Sequence, residues 1–186
     1  VNPKTGGNGR MAYLAAWGAV RKKGGTDAQA AEFIAKLYKN VPVLAKGGRD
    51  ATSIFLQRNI GDVLITFESE VVSVDKEFGA GKVDAIHPSS SIVAENPVAV
   101  VERTVAKKGT AAEARAYLNF LYSDAGQEIA AQHAIRPSNP AILKKYASTF
   151  KPIQLFTVDE FFGSFAEAQK LHFNDGGQFD KLYTVK

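Results

Sequence analysis

The 186 residues include no cysteine, are 45 % hydrophobic and 23 % charged, and carry a formal net charge of +4 at pH 7. This is the composition of a globular protein with a core to bury, and the lack of cysteine excludes disulfides, thiolate zinc sites and cysteine nucleophiles. No run of about 18 apolar residues occurs, which excludes a membrane-spanning helix, and the basic residues are spread thinly, the longest clusters being Arg21-Lys22-Lys23 and Lys107-Lys108, so nucleic acid is not an expected partner.

The chain opens on Val1-Asn2-Pro3-Lys4, with neither an initiator Met nor a basic and apolar leader, and reads as a cut or processed start. Apolar periodicity then predicts a helix over residues 10–22, ended by Gly24-Gly25, and a second over 27–38 opened by the capping box Thr26-Asp27-Ala28-Gln29. Residues 41–44 read as a strand, 51–58 as a short helix, 62–67 as a buried strand and 69–78 as a helix. Strands are expected at 82–86 and 97–102, on either side of the irregular His87-Pro88-Ser89-Ser90-Ser91, which suits a chain crossing between lobes. Thr110-Ala111-Ala112-Glu113 reads as a capping box, Ser123 as the cap of a helix to about residue 133, and Arg136-Pro137-Ser138-Asn139-Pro140 as its interruption. Thr157-Val158-Asp159-Glu160 opens a helix whose apolar face includes Phe161, Phe165 and Leu171, and Gly176-Gly177 precedes a short terminal helix. The alternation of helices and short strands is α/β.

The most informative stretch is Lys4-Thr5-Gly6-Gly7-Asn8-Gly9-Arg10, set directly before a helical run. Glycines allow close backbone approach, and the first N–H groups of a helix are unpaired at the positive end of its dipole, which makes an anion cradle. It is not a Walker A loop, and its glycine spacing does not match the dinucleotide fingerprint. A second turn of the same kind, Gly47-Gly48-Arg49-Asp50-Ala51-Thr52, also leads into a helix, and a third candidate is the strand end Phe67-Glu68-Ser69-Glu70, since ligands bind at the carboxyl ends of strands in α/β sheets. On the residues alone, a glycine-rich helix start without a ligand, a capped turn, and a core Phe67 with a surface Glu68 remain equally open.

These stretches carry a resemblance. Asn2-Pro3-Lys4-Thr5-Gly6-Gly7-Asn8-Gly9-Arg10 followed by Tyr13-Leu14-Ala15-Ala16-Trp17-Gly18 closely resembles the glycine-rich segment of the bacterial sulfate/thiosulfate-binding proteins of ABC importers. Gly47-Gly48-Arg49-Asp50-Ala51-Thr52, the run from Gly61 through Phe67 to Glu70, Ser91-Ile92-Val93-Ala94-Glu95, Tyr117-Leu118-Asn119-Phe120-Leu121-Tyr122-Ser123, Arg136-Pro137 and His172-Phe173 follow that family in order and spacing. The resemblance covers essentially the whole chain. It implies a type II periplasmic-binding-protein fold, with one lobe nearly complete plus part of the other: residues 1–88 as a second-lobe segment with the anion-binding loops, 89–136 as the returning portion of the first lobe, and 137–186 as C-terminal helices packing back on the second.

The resemblance further implies binding of sulfate or thiosulfate in the periplasm and delivery to a membrane permease, with no cofactor and no enzymatic activity. The ligand contacts carry over to Gly6, Gly7, Asn8, Gly48 and Phe67, with Thr5, Arg10 and Arg49 one layer behind. Two positions depart from the family pattern. A Ser usually stands where this chain has Gly6, which removes a hydroxyl donor, and sulfate-selective members have Trp where this chain has Phe67, which removes an indole N–H and leaves room for a bulkier anion. Family members also carry a long segment before the glycine-rich loop that supplies the opposite wall of the cleft. A chain lacking it is expected to self-associate or to need that N-terminal half, so a fragment with little anion affinity, or a carrier of another oxyanion, stands as the alternative. His87, His133 and His172 lie far apart without ligand pairing, so no metal site is expected, and no Gly-x-Ser-x-Gly elbow occurs.

Overall fold

The first helix, α1 (Gly7–Lys22), buries Tyr13, Leu14, Trp17 and Gly18, which its 3.6-residue period brings to one face. Gly24, at φ +83, lets the chain turn out of it. The second, α2 (Asp27–Lys39), starts from the expected capping box: Thr26 Oγ1 accepts the Gln29 N–H at 3.2 Å and Gln29 Oε1 accepts the Thr26 N–H at 2.8 Å. Its Ala30, Ile34 and Tyr38, four residues apart, bury against the same core. The structure is a computed structural model and describes residues 1–79, 81–95 and 97–183. They form two compact units, residues 1–94 with 153–186, and residues 95–152. Residues 184–186 of the C-terminal segment lie outside the described residues.

In the first unit α3 (Gly48–Leu56) and α4 (Glu68–Phe78) follow, then a two-stranded parallel ribbon of β1 (Ser90–Ile92) and β2 (Gln154–Phe156), with Ser91 opposite Leu155. Phe156 is buried where α1 crosses the ribbon, so close that a Cβ on Gly18 would lie 2.3 Å from its ring. The unit is completed by α9 (Val158–Phe162), α10 (Phe165–Ala168), a π-helical turn (Gln169–Phe173) and α11 (Gln178–Leu182), whose aromatic residues close over Tyr13 and Tyr38. His172 lies inside this cluster, where its Nδ1 hydrogen-bonds the Tyr13 hydroxyl at 3.0 Å and its ring packs edge-on to Trp17. Burial lowers its pKa from 6.5 to about 4, with Asp27 opposing the shift. The same burial raises the Tyr13 and Tyr38 phenols above their ordinary value of 10.

The second unit is helical: α5 (Glu102–Lys108), α6 (Ala111–Leu121), α7 (Asp124–Gln132) and α8 (Pro140–Lys145). Ser123 caps α7 as expected, through its Oγ and the Gly126 N–H. The interruption after α7 is pinned by Gln127, whose Oε1 accepts the Ser138 N–H at 2.7 Å while its amide donates to Leu121 O at 2.8 Å. Ala131, Ile142 and Phe150 form its small core.

Four expectations change. The apolar segments 41–44, 62–67, 82–86 and 97–102 form no strand among the described residues. A strand exists only with a ladder neighbour, and here Val63, Ile65 and Ile86 are instead 79, 51 and 85 % exposed. The irregular 87–91 segment, by contrast, ends in β1, because Gln154 donates to Ser89 O and starts the pairing. Thr110 makes no capping box: its N–H closes α5 on Val105 O at 3.1 Å, and with φ −112 and ψ 27 it lacks the extended N-cap conformation. The helix expected from residue 157 breaks at Gly163, φ +75, after which Ser164 caps α10, so that Phe165 and Leu171 are exposed while Phe161 packs on the core.

Candidate functional site

The glycine-rich loop is organised by its carbonyls. Asn2 O accepts the N–H groups of Thr5 (3.3 Å) and Gly6 (2.9 Å), and Asn2 Oδ1 accepts that of Lys4 (2.9 Å). Arg10 donates through Nε to Pro3 O at 3.0 Å and through Nη2 to Lys4 O at 3.1 Å, and its backbone N–H takes Gly6 O. The loop thereby turns its oxygens inward onto its own donors. Gly7, Asn8 and Gly9, the first three positions of α1, have N–H groups with no intrahelical acceptor, and the N-cap Gly6 offers no side chain to cap them. Gly9 has to be glycine, since a Cβ there would stand 2.6 Å from Val1 O and 2.9 Å from Asn2 O.

The second turn meets the first. Asn2 N–H donates to Ala45 O at 2.9 Å, and a Cβ on Gly48 would lie 2.9 Å from Asn8 Nδ2, so the starts of α1 and α3 touch. Gly47, extended at φ −153, caps α3 without a side chain, and Asp50 turns its carboxylate back to the Lys46 N–H at 2.9 Å. Gly6, Gly7, Asn8 and Gly48 are thus brought together. Phe67 is the N-cap of α4, also without a side-chain cap, and is 37 % exposed. It is linked to the pair through Arg49, which reaches Glu70 in the first turn of α4 at 3.7 Å.

The three helix starts are not electrostatically equal. The first turn of α1 holds no acidic residue, that of α3 holds Asp50, and that of α4 holds Glu68 and Glu70, which already satisfy its positive end. The favourable place for an anion is therefore between α1 and α3. Two nearby cations, Arg49 and Lys4, are paired with carboxylates. Arg49 pairs with Glu77 at 2.6 Å, which raises its pKa, and Lys4 pairs with Asp180 at 2.8 Å and Asp175 at 3.1 Å, which raises its own. Thr5 is exposed, with its N–H on Asn2 O. The arrangement can therefore hold an anion by neutral dipoles, with guanidinium groups shaping the loop and the α3–α4 junction.

Sequence reasoning missed three features. The Gly6 N–H is consumed by Asn2 O, Asn2 joins the two turns, and Lys4 reaches the C-terminal residues Asp175 and Asp180. Asn-Pro at residues 2–3 is a turn signal that could have flagged the second, but nothing local announces the third.

Residues 1–136 match the family described as bacterial extracellular solute-binding protein. Over 98 % of its length the chain is 53 % identical to the thiosulfate-binding protein of Pseudomonas aeruginosa, and over 97 % it is 48 % identical to the sulfate-binding protein of Escherichia coli. In both cases the match spans 55 % of the relative, so the chain covers about half the length of these proteins. A solved structure, the sulfate-binding protein SubI from Mycobacterium tuberculosis, is 30 % identical and superimposes with a TM-score of 0.76 over 89 % of this chain and 56 % of that one.

Proposed function

The chain belongs to the bacterial extracellular solute-binding protein family, and from that premise we propose that it is the part of a sulfate or thiosulfate carrier that grips the anion with backbone amides and hands it to a membrane permease. The observation that carries the reading is the contact of two helix starts without side-chain caps, Gly6-Gly7-Asn8 against Gly47-Gly48. Removing a dianion from water is tolerable only if donors replace its hydration shell, and the N–H groups of Gly7, Asn8, Gly9 and Gly48 are donors without a helical acceptor, backed by two dipoles. The Gly6 contribution is its missing side chain, since its own amide is taken.

A cleft made of donors favours a fully ionised anion. Phosphate at neutral pH keeps an O–H, and burying that donor without an acceptor costs about 1 to 3 kcal/mol. Phe67 presents carbon where an indole would present N–H, which favours the larger and softer thiosulfate. No chemistry on the anion is required of any residue. Calorimetric titration with sulfate, thiosulfate, phosphate and a nucleotide tests the reading: binding of the first two, weaker phosphate and no nucleotide is expected, whereas preferred nucleotide or equal phosphate binding would overturn it.

The exposure of Val63, Ile65 and Ile86 favours a second element of the proposal. These strand-like apolar segments are partnered by further chain of the family-length protein, which also supplies the opposite wall of the cleft on the periplasmic side of the membrane. Alone, the 186 residues then bind sulfate weakly and self-associate. Light scattering on the purified chain decides it: a monomer that binds sulfate tightly, one to one, would contradict this element while leaving the anion reading intact.

A further inference from the structure

The glycine-rich loop is tied to the other end of the sequence at a point no ligand contact requires. Lys4 sits with its carbonyl on Arg10 and sends its ammonium to Asp180 Oδ2 at 2.8 Å and Asp175 Oδ1 at 3.1 Å. The same Asp180 oxygen accepts the Gly176 N–H at 2.8 Å, so one carboxylate joins the loop, the turn at residues 174–177 and α11. That turn is tight, with Gly176 at φ +72 and a Cβ on Gly177 only 2.8 Å from Asn174 O. Lys4 precedes Gly7 by three residues. Six residues after Gly7, Tyr13 bonds His172 at 3.0 Å and packs on Phe173 and Phe179. The first turn of α1 is thus fastened to the C-terminal segment on both of its sides.

We propose that residues 172–183 are a brace that sets the orientation of the α1 amides, with Asp180 as its positioning residue. The proposal rests on reading residues 2–9 as the anion cradle. Asp180 is the stronger arm because it is only 36 % exposed and also bonded to Gly176, whereas Asp175 is fully exposed and its pair is weak.

The sign of one substitution separates the brace from simple electrostatics. Asp180→Asn removes a negative charge from the surroundings of an anion site, so Coulomb attraction alone makes sulfate bind more tightly. A brace makes it bind more weakly. Titration of sulfate and thiosulfate against the wild-type chain, Asp180→Asn, Asp175→Asn and the swapped pair Lys4→Asp/Asp180→Lys is combined with hydrogen-deuterium exchange at Thr5, Gly6 and Arg10, whose amides are bonded to Asn2 O and Gly6 O. The expected result is a three- to tenfold weaker affinity and at least threefold faster exchange in Asp180→Asn, a smaller effect in Asp175→Asn, and partial recovery in the swap. Unchanged or tighter binding with unchanged exchange overturns the brace, and so does a lowered Tm without faster exchange at Thr5, Gly6 and Arg10. If the wild-type chain binds neither anion, the proposed function falls, yet the exchange rates in Asp180→Asn still decide whether the C-terminal segment holds the loop.

Discussion

Adding a hydroxyl at residue 6, where the family resemblance implies a serine, measures how far the anion lies from the start of α1. Gly6 is extended, with φ −121 and ψ 131, so a side chain adds no backbone strain. The added Cβ meets Val1 Cγ1 at 2.7 Å, which a rotation of that side chain relieves, and Lys46 O at 3.3 Å, which does not move so readily. The serine hydroxyl can accept an N–H from the first turn of α1 as an N-cap and still donate its proton to the anion. The cap over Gly is worth a few tenths of a kcal/mol, and a hydrogen bond to a charged ligand about 1.5 to 3 kcal/mol, so Gly6→Ser should tighten sulfate binding about tenfold or more at nearly unchanged stability. Gly6→Ala carries the same Cβ without the hydroxyl and isolates the cost of crowding Lys46. Calorimetry on the three proteins makes the comparison. If Ser and Ala bind sulfate equally, the hydroxyl does not reach the anion, and the site does not lie over the Gly6–Asn8 start.

Other consequences follow from the packing. Because burial holds the folded-state pKa of His172 at about 4, below its ordinary 6.5, the unfolded chain takes up the proton first; stability should fall by about 2 to 3 kcal/mol between pH 6.5 and 4, and His172→Phe should flatten that slope in denaturant titrations. Gly18→Ala drives a methyl into the Phe156 ring and should cost about 1 to 3 kcal/mol by thermal unfolding, with Phe156→Leu recovering part of the loss in the double mutant. Thr26→Ala breaks the capping box of α2 and should cost about 1 kcal/mol, read in the same assay. Sulfate should be preferred over phosphate at neutral pH by roughly five- to a hundredfold, as competition titration will show.

The helices were legible where a cap and an apolar period agreed, as at Thr26 and Ser123, because both signals are local. Thr110 carried the same letters and failed, since its backbone was already committed to closing α5. Residues 62–67 have strand composition, but a strand is a relation to a neighbour, and composition does not say whether one is present. At the site, the donor-rich character of both glycine turns could be read directly. Their contact through Asn8 and Gly48 could not, and neither could the bond from Lys4 to Asp180, which spans 176 positions of sequence. The resemblance selected the residues, but only the folded loop reveals that the Gly6 amide is already spent on Asn2.

The most direct test of the account is an amide-resolved NMR titration of the 15N-labelled chain with sulfate and with thiosulfate. The account predicts saturable shifts concentrated at the N–H groups of Gly7, Asn8, Gly9 and Gly48, larger than those at any lysine-rich surface. Shifts centred on residues such as Lys107 and Lys108, with Gly7 and Gly48 unmoved at saturation, would contradict it.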